Sequence, residues 1–62
     1  MNGKQVIKLL KEKGWQLDRI NGSHHIFKKE GIVYLITVPV HGSDDIPTGT
    51  LNRILKDGGL KW

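Results

Sequence analysis

Two glycine-marked tight turns, Asn21-Gly22 and Glu30-Gly31, constrain the fold of this chain more than any other feature. Asn and Gly both tolerate positive φ, so the first pair is a strong signal for a hairpin between short strands. The turns divide the middle of the chain into segments 15–20, 24–29 and 32–38, and the last (IVYLITV) is rich in β-branched and aromatic residues. A parallel pair needs a crossover of a dozen or more residues, so connections this short imply an antiparallel meander. The near-continuous apolar run of 32–38 predicts a central or doubly covered strand. Pro39 closes it, because proline has no N–H to give a ladder.

A helix is predicted on each side of the meander. Over residues 3–13, Val6, Ile7, Leu9 and Leu10 fall within one arc, and Lys4, Lys8 and Lys11 line the opposite face. Asn2 is the expected N-cap, and Gly14 stands where a left-handed residue ends a helix. The second helix begins at Pro47, with Asp44 or Asp45 expected to cap its free amides. Leu51, Ile54 and Leu55 form its buried stripe, and Gly58-Gly59-Leu60 is a glycine stop with a hydrophobic contact after it. Residues 40–46 are loop. The fold class is therefore α+β, with order α-β-β-β-α and a three-stranded antiparallel meander. Both helices most economically cover one face. The other face is left to solvent or to a partner.

With 62 residues there is room for one core, so residues 1–62 are expected to be a single domain. The absence of cysteine excludes disulfides, zinc ribbons and thiol catalysis. No apolar run approaches the roughly 18 residues of a membrane span, and the N-terminus lacks an apolar signal region, which leads to the expectation of a cytosolic protein. Ten Lys and Arg against six Asp and Glu give a net charge of +4. That balance favours a polyanionic partner, RNA or DNA.

His24 and His25 are neighbours on a strand, so they point to opposite faces and cannot chelate one metal together. Phe27, the larger apolar group, belongs with the helices and takes His25 and Lys29 with it, which leaves His24, Ile26 and Lys28 on the open face. A three-residue loop of Asn21, Gly22 and Ser23 sets Leu17 opposite Phe27 and supports this assignment. A two-residue loop would pair Leu17 with Ile26 and reverse it. Spacing alone leaves His24 most simply a solvent-exposed strand residue, and His25 a half-buried histidine with a satisfied hydrogen bond. His41 reads as a loop histidine bonded to nearby backbone. Two adjacent aspartates without a histidine in register are a poor metal site, so no metal and no cofactor is expected. Lys28 is about 13 Å from His24 along the strand. A histidine among cations on an open sheet face is a reasonable place to hold a single RNA strand.

The pattern as a whole resembles the HicA toxins of HicAB toxin–antitoxin systems. The likeness runs from Lys13-Gly14-Trp15 through Asn21-Gly22-Ser23-His24-His25-Ile26-Phe27 and Val38-Pro39-Val40-His41 to Asp45-Ile46-Pro47-Thr48-Gly49-Thr50-Leu51, Ile54-Leu55-Lys56 and Gly59-Leu60. The Gly-Ser-His-His and Ile-Pro-Thr-Gly-Thr-Leu stretches together are quite specific. The resemblance implies a double-stranded-RNA-binding-domain-like fold and an mRNA interferase, a metal-independent endoribonuclease that blocks translation and is held inactive by the antitoxin HicB. It implies that His24, the first histidine after the Gly-Ser pair, is catalytic, and that Gly22 belongs to the same motif; for His41 it implies a supporting role at most. Imidazole has an unperturbed pKa of about 6.5, which suits it to act as general base on a ribose 2′-OH. Lys28 and the backbone amides around Gly22 and Ser23 are the expected binders of the phosphoryl oxygens. A non-catalytic RNA-binding module of the same fold is the alternative. Against duplex binding, the start of the second helix is acidic where a phosphate-gripping lysine cluster would stand. A partner is expected over the His24 face, covering Ile20 and Ile26.

Overall fold

The computed structural model describes residues 1–60. Helix α1 (Gly3–Glu12) starts where expected: the Asn2 side chain accepts the Gln5 N–H at 3.0 Å, and the Gln5 side chain accepts the Asn2 N–H at 2.9 Å. This reciprocal box satisfies two amides that the first turn would otherwise orphan. The helix ends at Gly14, whose φ of 94° few other residues could adopt. There the Gly14 N–H donates to the Lys11 carbonyl and the Trp15 N–H to the Leu10 carbonyl, at 3.1 and 3.0 Å. The paired bonds turn the chain so that Trp15 joins Leu10 in the core. Helix α2 (Thr48–Asp57) ends in the same way, with Gly59 donating to Lys56 and Leu60 to Leu55. The Trp15 indole N–H reaches the Gly58 carbonyl at 3.2 Å and ties the entry of the sheet to the end of α2.

Between the helices run β1 (Gln16–Asn21), β2 (His24–Lys28) and β3 (Ile36–Pro39), antiparallel in the order β1-β2-β3. The architecture is the expected α-β-β-β-α meander. Val6 and Leu10 of α1 and Ile54 of α2 pack with Phe27, Ile36 and Val38 in one core, so both helices cover the same face. Phe27, Leu10, Val6 and Val38 are fully buried, each worth roughly 1.5–3 kcal/mol of transfer free energy.

Three local expectations are corrected. The third strand is shorter and lies at an edge; it is not the central strand, which is β2. It pairs Ile36 with Phe27 and Val38 with His25, which places two β-branched residues in the core. Residues 32–35 precede the ladder and are exposed, because β2 offers no partner beyond Lys28. Within that segment Tyr34 donates to the Asp57 carbonyl at 2.8 Å, its ring 6.0 Å from that of Trp15. At the other end of the chain, neither Asp44 nor Asp45 caps α2: Pro47 is at the N-cap and no side-chain cap bond forms. Asp45 is held two residues too early. It bridges to Asn2 as an isolated antiparallel pair, the Ile46 N–H donates to the Met1 carbonyl at 2.8 Å, and the Asp45 carboxylate lies 3.7 Å from the Met1 ammonium.

Candidate functional site

The β1–β2 turn positions everything on the open face. Asn21 pairs directly with His24, so the loop is two residues, Gly22 and Ser23, and not the three of Asn21 to Ser23. Gly22 has φ 62° and Ser23 has an ordinary negative φ. A left-handed glycine followed by a conventional residue is the turn whose twist matches the flanking strands. From there Ile20 pairs with His25 and Arg19 with Ile26; then the register shifts by one at Asp18, and Leu17 pairs with Phe27 and Gln16 with Lys28. Leu17 therefore does face Phe27, but a β-bulge brings it there, not the loop length.

Directly paired residues share a face, which assigns the side chains. His25 and Phe27 oppose Val38 and Ile36 on the helix side; His24, Ile26 and Lys28 lie on the open side. His24 is exposed between Asn21 on one neighbour and Pro39 on the other. His25 is half-buried, but its Nδ1 is buried without a hydrogen-bond partner, so the satisfied bond expected for it is not made. Ile20 is corrected as well. It opposes His25, on the helix side of the edge strand β1, and is 55% exposed there. Ile26 does face away from the helices, yet it is only 9% exposed between Arg19 and Thr37. Neither residue makes an apolar patch beside His24.

The cations on this face are organised by a residue the sequence reading passed over. Asp18, the bulged residue, accepts from Arg19 Nη1 at 2.7 Å and lies 3.6 Å from Lys28 Nζ. Lys28 is on the expected face, but it is four residues from His24 and held to this carboxylate. Arg19, opposite Ile26, is one diagonal step from His24, roughly 7–8 Å between backbones. It is the nearer cation. The signal that could have found it is the Asp18-Arg19 pair itself, a carboxylate and a guanidinium side by side before a hairpin. At the turn, the Ser23 carbonyl accepts the Val40 N–H at 2.8 Å, whereas the Gly22 and Ser23 amides donate to no backbone carbonyl among the described residues. Two donors next to His24 are thus left without a backbone acceptor.

His41 is exposed, and only its carbonyl is engaged, accepting the Asp44 N–H at 3.0 Å. Its side chain makes no hydrogen bond among the described residues, so the expected tie to backbone is absent. It lines a cavity of about 230 Å³ with Pro39, Asp44, Asp45, Ile46, Pro47 and Thr50. Pro39 is the direct cross-strand neighbour of His24, so one wall of the cavity adjoins that strand position, although His24 itself does not line it. A larger cleft, about 320 Å³, runs between β3 and α2 along Thr37, Arg53 and Asp57, and no residue of β2 lines it. Among the described residues, no three His, Asp or Glu side chains gather as metal ligands, and no helix is long and apolar enough to cross a membrane.

Comparison with known proteins adds three findings. A family model described as the HicA toxin of bacterial toxin–antitoxin matches residues 3–60. A solved structure described as "HicA3 and HicB3 toxin-antitoxin complex" is 33% identical and superposes with a TM-score of 0.81, covering 100% of this chain and 98% of that one. No curated protein matches the chain.

Proposed function

Because the chain belongs to the HicA toxin family of bacterial toxin–antitoxin systems, we propose that it is an endoribonuclease that cleaves single-stranded mRNA on its open sheet face, with His24 as general base. The observation that carries this reading is the exposed His24 flanked on one side by two free turn amides and on the other by Arg19.

In this mechanism the His24 imidazole takes the proton of a ribose 2′-OH. The 2′-oxygen then bonds to the adjacent phosphorus, and the bond to the 5′-oxygen breaks. The leaving oxygen is protonated by the imidazolium or by water, and the upstream product ends in a 2′,3′-cyclic phosphate. Negative charge grows on the phosphoryl oxygens, where the Gly22 and Ser23 amides and Arg19 stabilise it. Asp18 keeps Arg19 and Lys28 on this face, and Lys28 holds the strand farther along. His41 borders the same region and has a supporting role. General-base help is worth about 10²–10⁴-fold. A single histidine as the base implies a slow enzyme, which is sufficient for a toxin.

The similar solved structure is a complex with HicB3. By that likeness the partner here is a HicB-type antitoxin; in the proposed reading it lies over the His24 face, with acidic or hydrogen-bonding groups meeting Arg19 and Lys28. Contact by charge is the main term, since the apolar residues expected there are turned away or already covered.

The test is cleavage of short synthetic RNAs by the purified protein and by its His24→Ala variant. Cleavage by the first and none by the second supports the reading. Binding without cleavage by both identifies a non-catalytic RNA-binding module, and equal cleavage by both removes His24 from the reaction.

A further inference from the structure

The cavity beside His24 has a lining that phosphate would avoid. Asp44 and Asp45 both stand in its lining, while Pro39, Ile46 and Pro47 make much of the rest apolar. Asp45 is accounted for, since it meets the Met1 ammonium. Asp44 is not. It caps no helix, and its carboxylate has no ionic or hydrogen-bonding partner among the described residues. A carboxylate next to an RNA strand repels the backbone unless cations neutralise it, as Arg19 and Lys28 do for Asp18, or it meets a donor edge of a base.

We propose that this cavity is a base-binding subsite that selects guanine in the RNA strand, with Asp44 as the specificity-determining residue. The inference rests on the ribonuclease reading of His24 for its location beside the cleaved bond, but its chemistry is separate. A carboxylate only accepts hydrogen bonds. Guanine carries two adjacent donors, N1–H and the 2-amino group, which match the two carboxylate oxygens. In adenine and cytosine the amino group sits next to a ring nitrogen that is itself an acceptor, and the uracil N3–H is flanked by two carbonyl oxygens. Each of these sets an acceptor against Asp44. The lining includes His41, whose imidazole is the kind of ring on which single-stranded bases stack, beside the apolar Pro39 and Pro47. The volume, about 230 Å³, admits one base and no base pair. Because Pro39 stands directly opposite His24, the base so held belongs to a nucleotide at the reacting phosphate or next to it.

The test separates the subsite from the chemistry by using the His24→Ala protein, with which RNA binding is measured free of turnover by that histidine. Short RNAs of otherwise uniform uridine carry one guanosine, one inosine (which lacks the 2-amino group) or one adenosine. The guanosine strand is expected to bind about 5- to 100-fold more tightly than the other two, the discrimination a bidentate base contact supplies. Asp44→Ala in the same background is expected to bring the three affinities together. Equal binding of the three strands, or a guanosine preference that survives Asp44→Ala, overturns the proposal. With unmodified protein, cleavage that ignores guanosine also overturns it while leaving the ribonuclease reading intact. Guanosine-selective binding without any cleavage supports the subsite and defeats the ribonuclease reading instead.

Discussion

Truncating Phe27 and truncating His24, three positions apart on one strand, should have opposite consequences. Phe27 is 0% exposed and lies at the centre of the core among Leu10, Ile36 and Val38. Phe27→Ala removes its transfer free energy and leaves a cavity, together about 3–5 kcal/mol. A folded chain of 62 residues has only about 3–9 kcal/mol in total, at roughly 0.05–0.15 kcal/mol per residue. The variant should therefore lose most of its stability, with a melting temperature lower by about 12 °C or more at 4–8 °C per kcal/mol. His24 is exposed and is not among the core residues. His24→Ala should change stability by no more than about 0.5 kcal/mol while abolishing RNA cleavage. Urea denaturation followed by circular dichroism, alongside a gel assay of RNA cleavage, measures both. If His24→Ala melts as early as Phe27→Ala, the two faces of β2 are exchanged and the argument from register fails. If it is stable and still cleaves, the base is elsewhere.

Attack by the 2′-OH with His24 as general base predicts cleavage that survives EDTA, products with 2′,3′-cyclic phosphate ends, and complete resistance of 2′-O-methyl RNA; activity lost to EDTA and restored by Mg²⁺ would refute it. Gly3→Ala should destabilise the fold by about 1–3 kcal/mol, because an added Cβ would lie 2.8 Å from the Pro39 carbonyl oxygen; a melting curve like the parent protein's would show that the helix shifts freely. Lys28→Glu should weaken binding of a HicB-type antitoxin at least tenfold by calorimetry, whereas Lys11→Glu, on the helix face away from the site, should leave it within about twofold. Equal effects of the two reversals would place the partner elsewhere.

Most of the fold was legible because local chemistry and burial agree. Asn2 caps its helix as expected, Gly14 and Gly59 end their helices, and the 3.6-residue stripes of both helices meet the alternating face of β2. The reading failed where tertiary pairing outweighed composition. Residues 32–35 are as strand-like as any in the chain, but β2 is too short to pair with them. Asp44 and Asp45 stand where helix caps often stand, yet the bridge from Asn2 to Asp45 fixes the backbone in another conformation. That pairing joins positions 43 residues apart, and no local rule could anticipate it. The same limit hid the cavity, whose walls come from β3, the loop after it and α2.

Arg19 was hidden for a different reason, and the bulge explains both its place and its partner. With a two-residue loop, an unbroken ladder from the Asn21–His24 pair would set Asp18 opposite Phe27 and Leu17 opposite Lys28. A carboxylate would then face the core, at a desolvation cost of several kcal/mol, while an aliphatic side chain faced water. Skipping one residue reverses both outcomes. Leu17 returns to Phe27, and Asp18 turns to the open face, where Arg19 and Lys28 meet its charge. The bulge thus corrects the polarity of β1 and gathers the cations near His24 in one step. Deleting Asp18 should remove the bulge and still leave Leu17 opposite Phe27, so that variant should fold and melt within a few degrees of the parent protein. Deleting Leu17 instead should set Asp18 against Phe27 and cost several kcal/mol. Urea denaturation of the two variants decides it: equal losses would mean that the bulge is imposed by the turn, and not by the need to keep a charge out of the core.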